Sequence, residues 1–477
     1  MCNPEVPQAA PIAGPGRRRS GAGRVRPFLR GRRGGPAVAL AAAAVVALVL
    51  GLPGGCEPAG KGRGPVLLFC ANDEGVLAAC GCPSNPSGGL AKRQALVEQY
   101  RRTRPEVLLV DAGDLFPDHK HEVKAKYLAR VLARSGYDAI ALGDQEFLLG
   151  AEYLRRLQRE ERLPLVCANV RDAAGEYVAP PHVVRRIAGL RVGIFAVVAD
   201  KAYGFPPMEW RTGLRVEDPA VAARREVAAL EGCDLVVALS HQPLYASRDL
   251  AAEVDGIDVV VSGHDEDVLV KPERIGRALL VGTGEAGRIL GALALGRGKD
   301  GRPTLVQEMT ELSARVPDAP WVMDLYWAYV KEAKDAPPPD WNLTGIPDRF
   351  DTAESCGACH EPEYKQWRTT RHARAYESLR RAGRHEDPEC LMCHTMGYGR
   401  SGGFASMEKT SALGRVTCQA CHVVQSDHDE KKVKPEPDIN ISSRLCMSCH
   451  GPVQSPDFDY FVCKPKIRHK EPDGGAR

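Results

Sequence analysis

The sequence lacks a sustained charge of either sign. Lys and Arg number 64 and Asp and Glu 61, a formal net charge of +3 over 477 residues. Even that excess is local: residues 1–55 hold eight Arg and one Glu, leaving the remainder near −4. A body of that kind has no basic stripe for a phosphate backbone, so nucleic acid is excluded as a partner. No Walker or dinucleotide fingerprint occurs. The nearest stretch, Cys80-Gly-Cys82-Pro-Ser-Asn-Pro-Ser-Gly88-Gly89-Leu-Ala-Lys92-Arg93, reads as a plain loop ahead of a helix, with weak anion-binding character. The uncharged run 36–52 is just shorter than a comfortable membrane span. Beyond about residue 350 the strand pattern disappears.

What is present begins with the N-terminus. Arg17, Arg18, Arg19, Arg24, Arg26, Arg30, Arg32 and Arg33 precede the apolar run, and Leu-Pro-Gly-Gly-Cys56 follows it. A basic segment, an apolar segment and small residues make an export signal. The placement of Cys56 resembles a bacterial lipobox, and an uncleaved anchor is the alternative. Either way the body is expected to be exported, periplasmic or on the outer face, and attached to a membrane through residues 1–56.

Residues 65–315 alternate apolar β-type runs (66–70, 107–110, 139–142, 165–168, 192–198, 235–239, 259–261, 279–281) with helical patterns such as 91–102, 121–135 and 219–230. That alternation implies an α/β layered fold. One more helix is expected over 316–335, and a Pro-rich linker over 336–350. The expected organisation is thus 1–56, 65–335, 336–350 and 351–477.

Four copies of Cys-x-x-Cys-His lie within 95 residues: Cys356-Gly-Ala-Cys359-His360, Cys390-Leu-Met-Cys393-His394, Cys418-Gln-Ala-Cys421-His422 and Cys446-Met-Ser-Cys449-His450. Zinc sites pair one Cys-x-x-Cys with a distant second pair, whereas a His directly after the second Cys is the attachment signature of c-type haem. Two thiols one turn apart reach both vinyl arms of one porphyrin, and the His supplies the proximal nitrogen. Four covalently bound haems are expected. Of the cysteines outside these motifs and the N-terminal segment, Cys70, Cys80, Cys82, Cys167, Cys233 and Cys463 allow fifteen full disulfide pairings, and the sequence selects none.

Around those motifs, Trp367, His372-Ala-Arg-Ala375, Cys393-His-Thr-Met-Gly397-Tyr, Ser455-Pro-Asp-Phe458 and Lys466-Ile-Arg-His469 resemble the tetrahaem cytochrome c family typified by the electron acceptor of hydroxylamine oxidation. The resemblance implies a mostly helical and loop domain with haems in stacked pairs. It implies distal ligands at His372, His428 and His469. His385 matches no family position, and His119, His121 and His182 are candidates to reach across from the first domain. An open haem would bind a small molecule.

The strand ends of the first domain carry a second set: Asp111-Ala-Gly-Asp114-Leu-Phe116, Ala141-Leu-Gly-Asp144-Gln-Glu-Phe147, Cys167-Ala-Asn-Val170, Leu239-Ser-His241 and Ser262-Gly-His264-Asp-Glu266-Asp267. Their order resembles the 5′-nucleotidase branch of the calcineurin-like metallophosphoesterases, which holds two metals. The resemblance places Asp114 as the bridging Asp, His241 as the lone His and His264 as the first His of the last motif. Other positions depart: Asn72 and Glu74 stand at the D-x-H pair, Asp144 replaces an Asn, Gln145 replaces the neighbouring His, and Glu266 takes the last ligand position. Glu74, Asp114, Asp144, His241, His264 and Glu266 are therefore the candidate ligands of a divalent metal. Gln145 transfers no proton, so hydrolysis is expected to be weak or lost.

The function expected is electron transfer with redox partner proteins. The alternatives are a metal-dependent phosphoesterase or nucleotidase, and a reductase of a small nitrogen compound at an open haem. Intact mass should exceed that of the mature polypeptide by four haem masses; three or fewer, from a host with a working maturation system, would contradict the haem count.

Overall fold

The computed structural model describes residues 64–79, 86–118, 121–200, 213–265, 267–298, 303–335, 350–422, 441–451, 454–455 and 458–469. The export segment with Cys56, the linker, Glu266, His119 and His428 lie outside the described residues. No described helix is long and apolar enough to cross a membrane.

The chain runs β1 (Val66–Cys70), α1 (Leu90–Thr103), β2 (Val107–Asp111), α2 (Glu122–Ser135), β3 (Ala139–Ala141), α3 (Ala151–Glu160), β4 (Leu165–Val166), β5 (Val170–Arg171), β6 (His182–Ile187), β7 (Leu190–Val198) and β8 (Arg215–Val216). It continues through α4 (Pro219–Ala229), β9 (Leu235–His241), α5 (Leu244–Glu253), β10 (Val259–Ser262), β11 (Glu273–Ile275), β12 (Ala278–Gly282), β13 (Ile289–Arg297), β14 (Pro303–Glu311) and α6 (Pro320–Asp335). Two six-stranded sheets result, in the orders β14-β13-β1-β2-β3-β4 and β11-β12-β10-β9-β7-β6. Their central strands pair in parallel, Val66 beside Val107 and Val192 beside Leu235.

The period-two alternation of strand side chains sorts each apolar run onto two faces. Leu67 and Phe69 of β1 meet Val192, Ile194, Val237 and Val259 of the other sheet in a shared inner core. Val66, Leu68 and Cys70 face the opposite way, into a layer built with α1, α2, α3 and α6. Phe195, Val197, Ala238 and Val260 face α4 and α5. The architecture is therefore helix, sheet, sheet, helix. Strands buried on both faces read as continuous apolar runs, which is why those of the inner sheets were legible. Strands β6, β13 and β14 were not expected from the sequence. In β14 half-buried and exposed residues alternate along Pro-Thr-Leu-Val-Gln-Glu-Met-Thr-Glu, so no apolar run marks it.

From residue 350 the described residues form short helices and turns: α7 (Ala353–Gly357), α8 (Glu361–Trp367), α9 (Ala375–Ala382), α10 (Pro388–His394), α11 (Met407–Thr410), α12 (Ser443–Met447) and α13 (Tyr460–Ile467). Its apolar cluster is small, namely Leu379, Leu391, Met396, Phe404 and Leu413. The segment packs against α6 and α2 through a buried polar seam. Asp387, 0% exposed, caps α10 by accepting the Glu389 N–H at 3.0 Å. It also accepts the Tyr326 hydroxyl and pairs with Arg384 at 2.8 Å. The Arg384 guanidinium lies over the Tyr326 ring, 4.7 Å from its centroid. Beside them Glu389 accepts the Tyr329 hydroxyl at 3.1 Å and pairs with Lys124 at 2.9 Å. The Tyr329 hydroxyl also meets His121 Nε2 at 3.2 Å. Burial, reinforced by Asp387, pushes the Tyr326 hydroxyl far above its usual range, so it stays a donor.

The described cysteines Cys70, Cys167 and Cys233 are free thiols, and Cys463 is disulfide-bonded. Cys80 and Cys82 lie outside the described residues.

Replacing Asp387 by Ala strands a largely buried guanidinium, a buried hydroxyl and a helix N-terminus together. Breaking a buried pair by removing one partner costs about 3–5 kcal/mol. Chemical denaturation of haem-loaded Asp387→Ala should show a loss of that size, whereas exposed Glu377→Ala should stay within about 0.5 kcal/mol of the parent. An unshifted midpoint for Asp387→Ala would refute the seam's structural role.

Candidate functional site

The candidate metal ligands stand at the carboxyl ends of parallel strands, where α/β sheets place their sites. Asp114 follows β2, Asp144 follows β3, His241 ends β9 and His264 follows β10. Their ligand atoms all lie within 4.8 Å of one another. His241 Nε2 is 3.2 Å from Asp114 Oδ2 and 3.4 Å from Asp144 Oδ1, and His264 Nδ1 is 3.4 Å from Asp144 Oδ1. The two imidazoles meet edge to face at 5.2 Å. Burial opposes a proton on His241, yet Asp114 and Asp144 together raise it well above the usual imidazole range. Burial likewise disfavours the charged form of Asp144, but His241 and His264 hold its carboxyl well below the usual range.

Four residues around this cleft, Asn72, Glu74, Asp114 and His264, adopt left-handed backbone at φ 53°, 52°, 57° and 75°. Such residues cost energy and persist where surroundings over-determine them. Here each backbone N–H in reach is held. Asn72 N–H donates to Gly113 O at 2.8 Å, Glu74 N–H to Asp114 O at 2.9 Å and His264 N–H to Asn72 Oδ1 at 2.8 Å. The Asp114 N–H donates to Glu146 Oε2 at 3.0 Å. Glu146, 0% exposed, also accepts from Leu115, Phe116 and Gly143 at 2.6–3.0 Å. Burial and the neighbouring Asp114 push its carboxyl up to about 7. A Cβ on Gly143 would collide with the Asp114 carboxylate, so the close approach of the two loops needs glycine there.

Of the six candidate ligands, the structure brings Asp114, Asp144, His241 and His264 together, and Glu266 lies outside the described residues. Glu74 is not among the side chains that converge with Asp114. Asn72 is a tie between loops: its Oδ1 accepts His264 N–H and its Nδ2 donates to Asp265 O at 3.0 Å. Gln145 keeps its backbone N–H on Asp114 Oδ1 at 3.1 Å, while its side-chain Oε1 is buried without a hydrogen-bond partner. Sequence reading missed Asp73 and Arg93, both 0% exposed and ion-paired with each other. It also gave Glu146 no role, although an acid flanking the ligand motif was visible.

The four haem motifs share one local geometry. His360, His422 and His450 each donate a backbone N–H to the first Cys of their motif, at 2.9–3.0 Å. The second motif forms the end of α10. One turn thus carries two thiols and an imidazole. The Cys356 and Cys418 thiols adjoin, which lowers the first and raises the second, and Cys449 is lowered by Cys393 beside it. Motif one therefore lies against motif three and motif two against motif four.

Opposed imidazoles accompany them. His372 faces His450 with ring centroids 6.1 Å apart, and His469 faces His422 at 6.2 Å with planes inclined by 18°. One metal ion between two imidazole nitrogens, each about 2 Å away, sets centroids about 6.3 Å apart. Both pairs fit that separation. His394 Nδ1 meets Ala375 O at 3.0 Å and Ser378 Oγ at 3.1 Å, and His450 Nδ1 meets Ser455 Oγ at 3.1 Å, leaving Nε2 of each for iron. Burial lowers His450 to about 4 and moves His372 and His394 down, so all three present lone pairs at neutral pH. His385 instead lies edge-on to Tyr376 at 6.3 Å. Two candidates from the first domain are spoken for: His182 pairs with Glu226 at 2.7 Å, and His121 caps α2 and meets Tyr329. The residues present fit haem.

The fold and the two sites define a metallophosphoesterase-type domain joined to a haem-binding segment. Residues 76–265 match the calcineurin-like phosphoesterase family, and residues 355–423 match the cytochrome c554 and c-prime family. The chain thus carries a calcineurin-like phosphoesterase domain of the 5′-nucleotidase branch, with a cytochrome c554-type region C-terminal to it. Over 194 residues it is 32% identical to the 5′-nucleotidase of Rattus norvegicus, covering 38% of this chain and 33% of that protein. Over 225 residues it is 27% identical to the trifunctional nucleotide phosphoesterase protein YfkN of Bacillus subtilis, covering 40% of this chain and 15% of that one. The chain spans about a third or less of these relatives' length. Among solved structures, a 5′-nucleotidase precursor from Thermus thermophilus is 24% identical, with a TM-score of 0.48, over 56% of this chain and 58% of that chain.

If Glu146 holds the ligand loop, Glu146→Ala strips four buried backbone donors of their acceptor. Each unsatisfied group costs about 1–3 kcal/mol, so stability should fall by several kcal/mol in thermal unfolding, with the haem bands unchanged before the transition. A parent-like melting temperature would refute that role.

Proposed function

We propose that this chain is an exported, membrane-attached multihaem c-type cytochrome that carries electrons between redox partner proteins, and that its phosphoesterase domain has lost efficient hydrolysis. The observation that carries this reading is the pair of opposed imidazoles, His372 with His450 and His469 with His422, at a separation suited to one iron each. Four complete attachment motifs support four haems, and the basic and apolar segments before Cys56 support export and lipid attachment. Haem iron, when bound, supplies one-electron redox chemistry at each motif. The residues that would hold the iron include His372, His394 and His450, which burial keeps neutral, and the thiols of motifs one and three, and of motifs two and four, adjoin. His428, in the segment that follows the third motif, is proposed as the distal ligand of a further haem.

A second reading, metal-dependent phosphoester hydrolysis, is favoured by the convergence of Asp114, Asp144, His241 and His264. Against it stands Gln145. Losing one preorganised donor typically lowers the rate by about 10²–10³-fold.

His372→Ala and His469→Ala, each in haem-loaded protein, should convert one low-spin haem to a high-spin form that binds carbon monoxide. A spectrum unchanged in both would remove them as ligands and take the electron-relay geometry with them. In parallel, the parent supplied with each divalent metal should hydrolyse nucleotides well below roughly one turnover per second, the low end of enzyme rates. Faster turnover that Asp114→Ala abolishes would establish the hydrolase reading instead.

A further inference from the structure

Beyond residue 350 the exposed apolar surface is gathered in one place. Among the described residues there, the exposed large apolar side chains are Met407, Leu445, Met447, Phe461 and Val462, and four of the five lie on α12 and α13. Phe461 is 83% exposed, more than any other large apolar side chain among the described residues. A ring kept in water forgoes the free energy of its burial, and a cluster of such side chains rimmed by polar residues marks an interaction site. The inner side of α13 is pinned. Cys463 is buried and disulfide-bonded, and Asp459 caps the helix by accepting the Val462 N–H at 3.0 Å. The Tyr460 hydroxyl and Lys464 Nζ both donate to the Ile441 carbonyl, the latter at 3.0 Å, just ahead of α12.

The rim of this patch is basic. Arg444, Lys466 and Arg468 are exposed, and among the described residues none of the three side chains forms an ion pair. Asp459, the acid nearest to them in sequence on α13, is taken up by the cap. The patch also borders the haem-binding residues. Arg468 immediately precedes His469, whose ring faces His422 at 6.2 Å, and the Arg468 carbonyl accepts from Gln366 of α8 at 2.6 Å. Leu445 and Met447 flank Cys446 of the fourth motif. The imidazole opposed to the third motif and the attachment helix of the fourth therefore stand beside exposed surface. The second attachment helix, by contrast, is fastened against α6 and α2 by the polar seam.

We propose that α12 and α13 form the docking surface for a small acidic electron-transfer protein, one that carries carboxylates around an apolar, exposed cofactor edge. The proposal rests on the electron-carrier reading and adds where electrons cross to a partner. Contacts between redox partners are small, with an apolar centre and a polar rim. Rim charges set the speed of encounter and its salt dependence. Three cations are too few to track a nucleic-acid backbone, where about 6–10 phosphate contacts are made. Helix α13 has eight residues and exposes a single aromatic ring, so a lipid surface finds little apolar area to hold. The transfer moves one electron: the partner's reduced centre is oxidised, a ferric iron of this chain becomes ferrous, and no bond breaks or proton shifts.

The probe is a reduced plant-type [2Fe–2S] ferredoxin, a strongly reducing acidic protein, mixed anaerobically with full-length, oxidised, haem-loaded protein in a stopped-flow cell. Haem reduction should be fast at low salt and slow steeply as ionic strength rises. Lys466→Glu should lower the low-salt rate by roughly tenfold and flatten its salt dependence. Phe461→Ser should slow transfer at every salt concentration and keep the slope. The same charge reversal at exposed Lys271, on the phosphoesterase domain, should change neither. The haem spectrum and reduction by dithionite, unchanged in every variant, control for folding and haem loading. Haems that dithionite cannot reduce in the parent would overturn the electron-carrier reading and the dock with it. In dithionite-reducible protein, ferredoxin rates indifferent to both Lys466→Glu and Phe461→Ser would overturn the dock alone. So would phosphatidylglycerol vesicles that hold the parent more tightly than Phe461→Ser, or a parent dimer that Phe461→Ser dissociates, because lipid or a second copy would then cover the patch.

Discussion

Among the described residues beyond 350 the buried apolar cluster is small, and the rest of the molecule answers that shortage. The buried cluster of Leu379, Leu391, Met396, Phe404 and Leu413 is far smaller than the three cores of the sandwich. Two devices make up the difference. Covalent porphyrins would bring apolar bulk to each Cys-x-x-Cys-His turn. The polar seam of Asp387, Glu389, Arg384, Tyr326 and Tyr329 then fastens the second attachment helix to α6 and α2. A buried ionic seam tolerates no missing partner, because each group left behind stays desolvated. The phosphoesterase domain is thus a platform for the haem segment as well as a fold with its own cleft.

The cleft shows the same economy of parts. The carboxyl ends of parallel strands in the two packed sheets deliver side chains to one crevice whatever their chemistry, so sites change by substitution while the scaffold stays. Asp144 and His264 remain in reach of Asp114 and His241. Asn72 ties two loops together and Asp73 is the partner of Arg93. Glu146, far from passive, holds the ligand loop through four backbone donors.

Much of this was legible in the sequence, and the rest was not for physical reasons. Inner strands such as β1 and β9 announce themselves because both faces are buried. Edge strand β14 alternates half-buried and exposed residues and has no apolar signature. Candidate ligands that share a motif with the fold, Asp114, His241 and His264, converge with Asp144 because the strand ends that carry them meet in one cleft. Glu74 follows a turn whose backbone is left-handed at Asn72 and Glu74, a conformation that no local pattern announces. Arg93 was invisible: its partners Asp73, Asp111 and Tyr137 are 18 to 44 residues away in sequence and meet only in the folded sheet. The pairing of His372 with His450 is likewise a long-range fact that no local pattern encodes.

The central claim is that the chain stores and passes electrons through haems on all four motifs. An anaerobic coulometric titration of the full-length, haem-loaded protein tests it most directly. The account predicts reversible uptake of four electrons per chain, with the haem spectrum returning on reoxidation. Uptake of fewer than four electrons, or reduction that is irreversible, would contradict it.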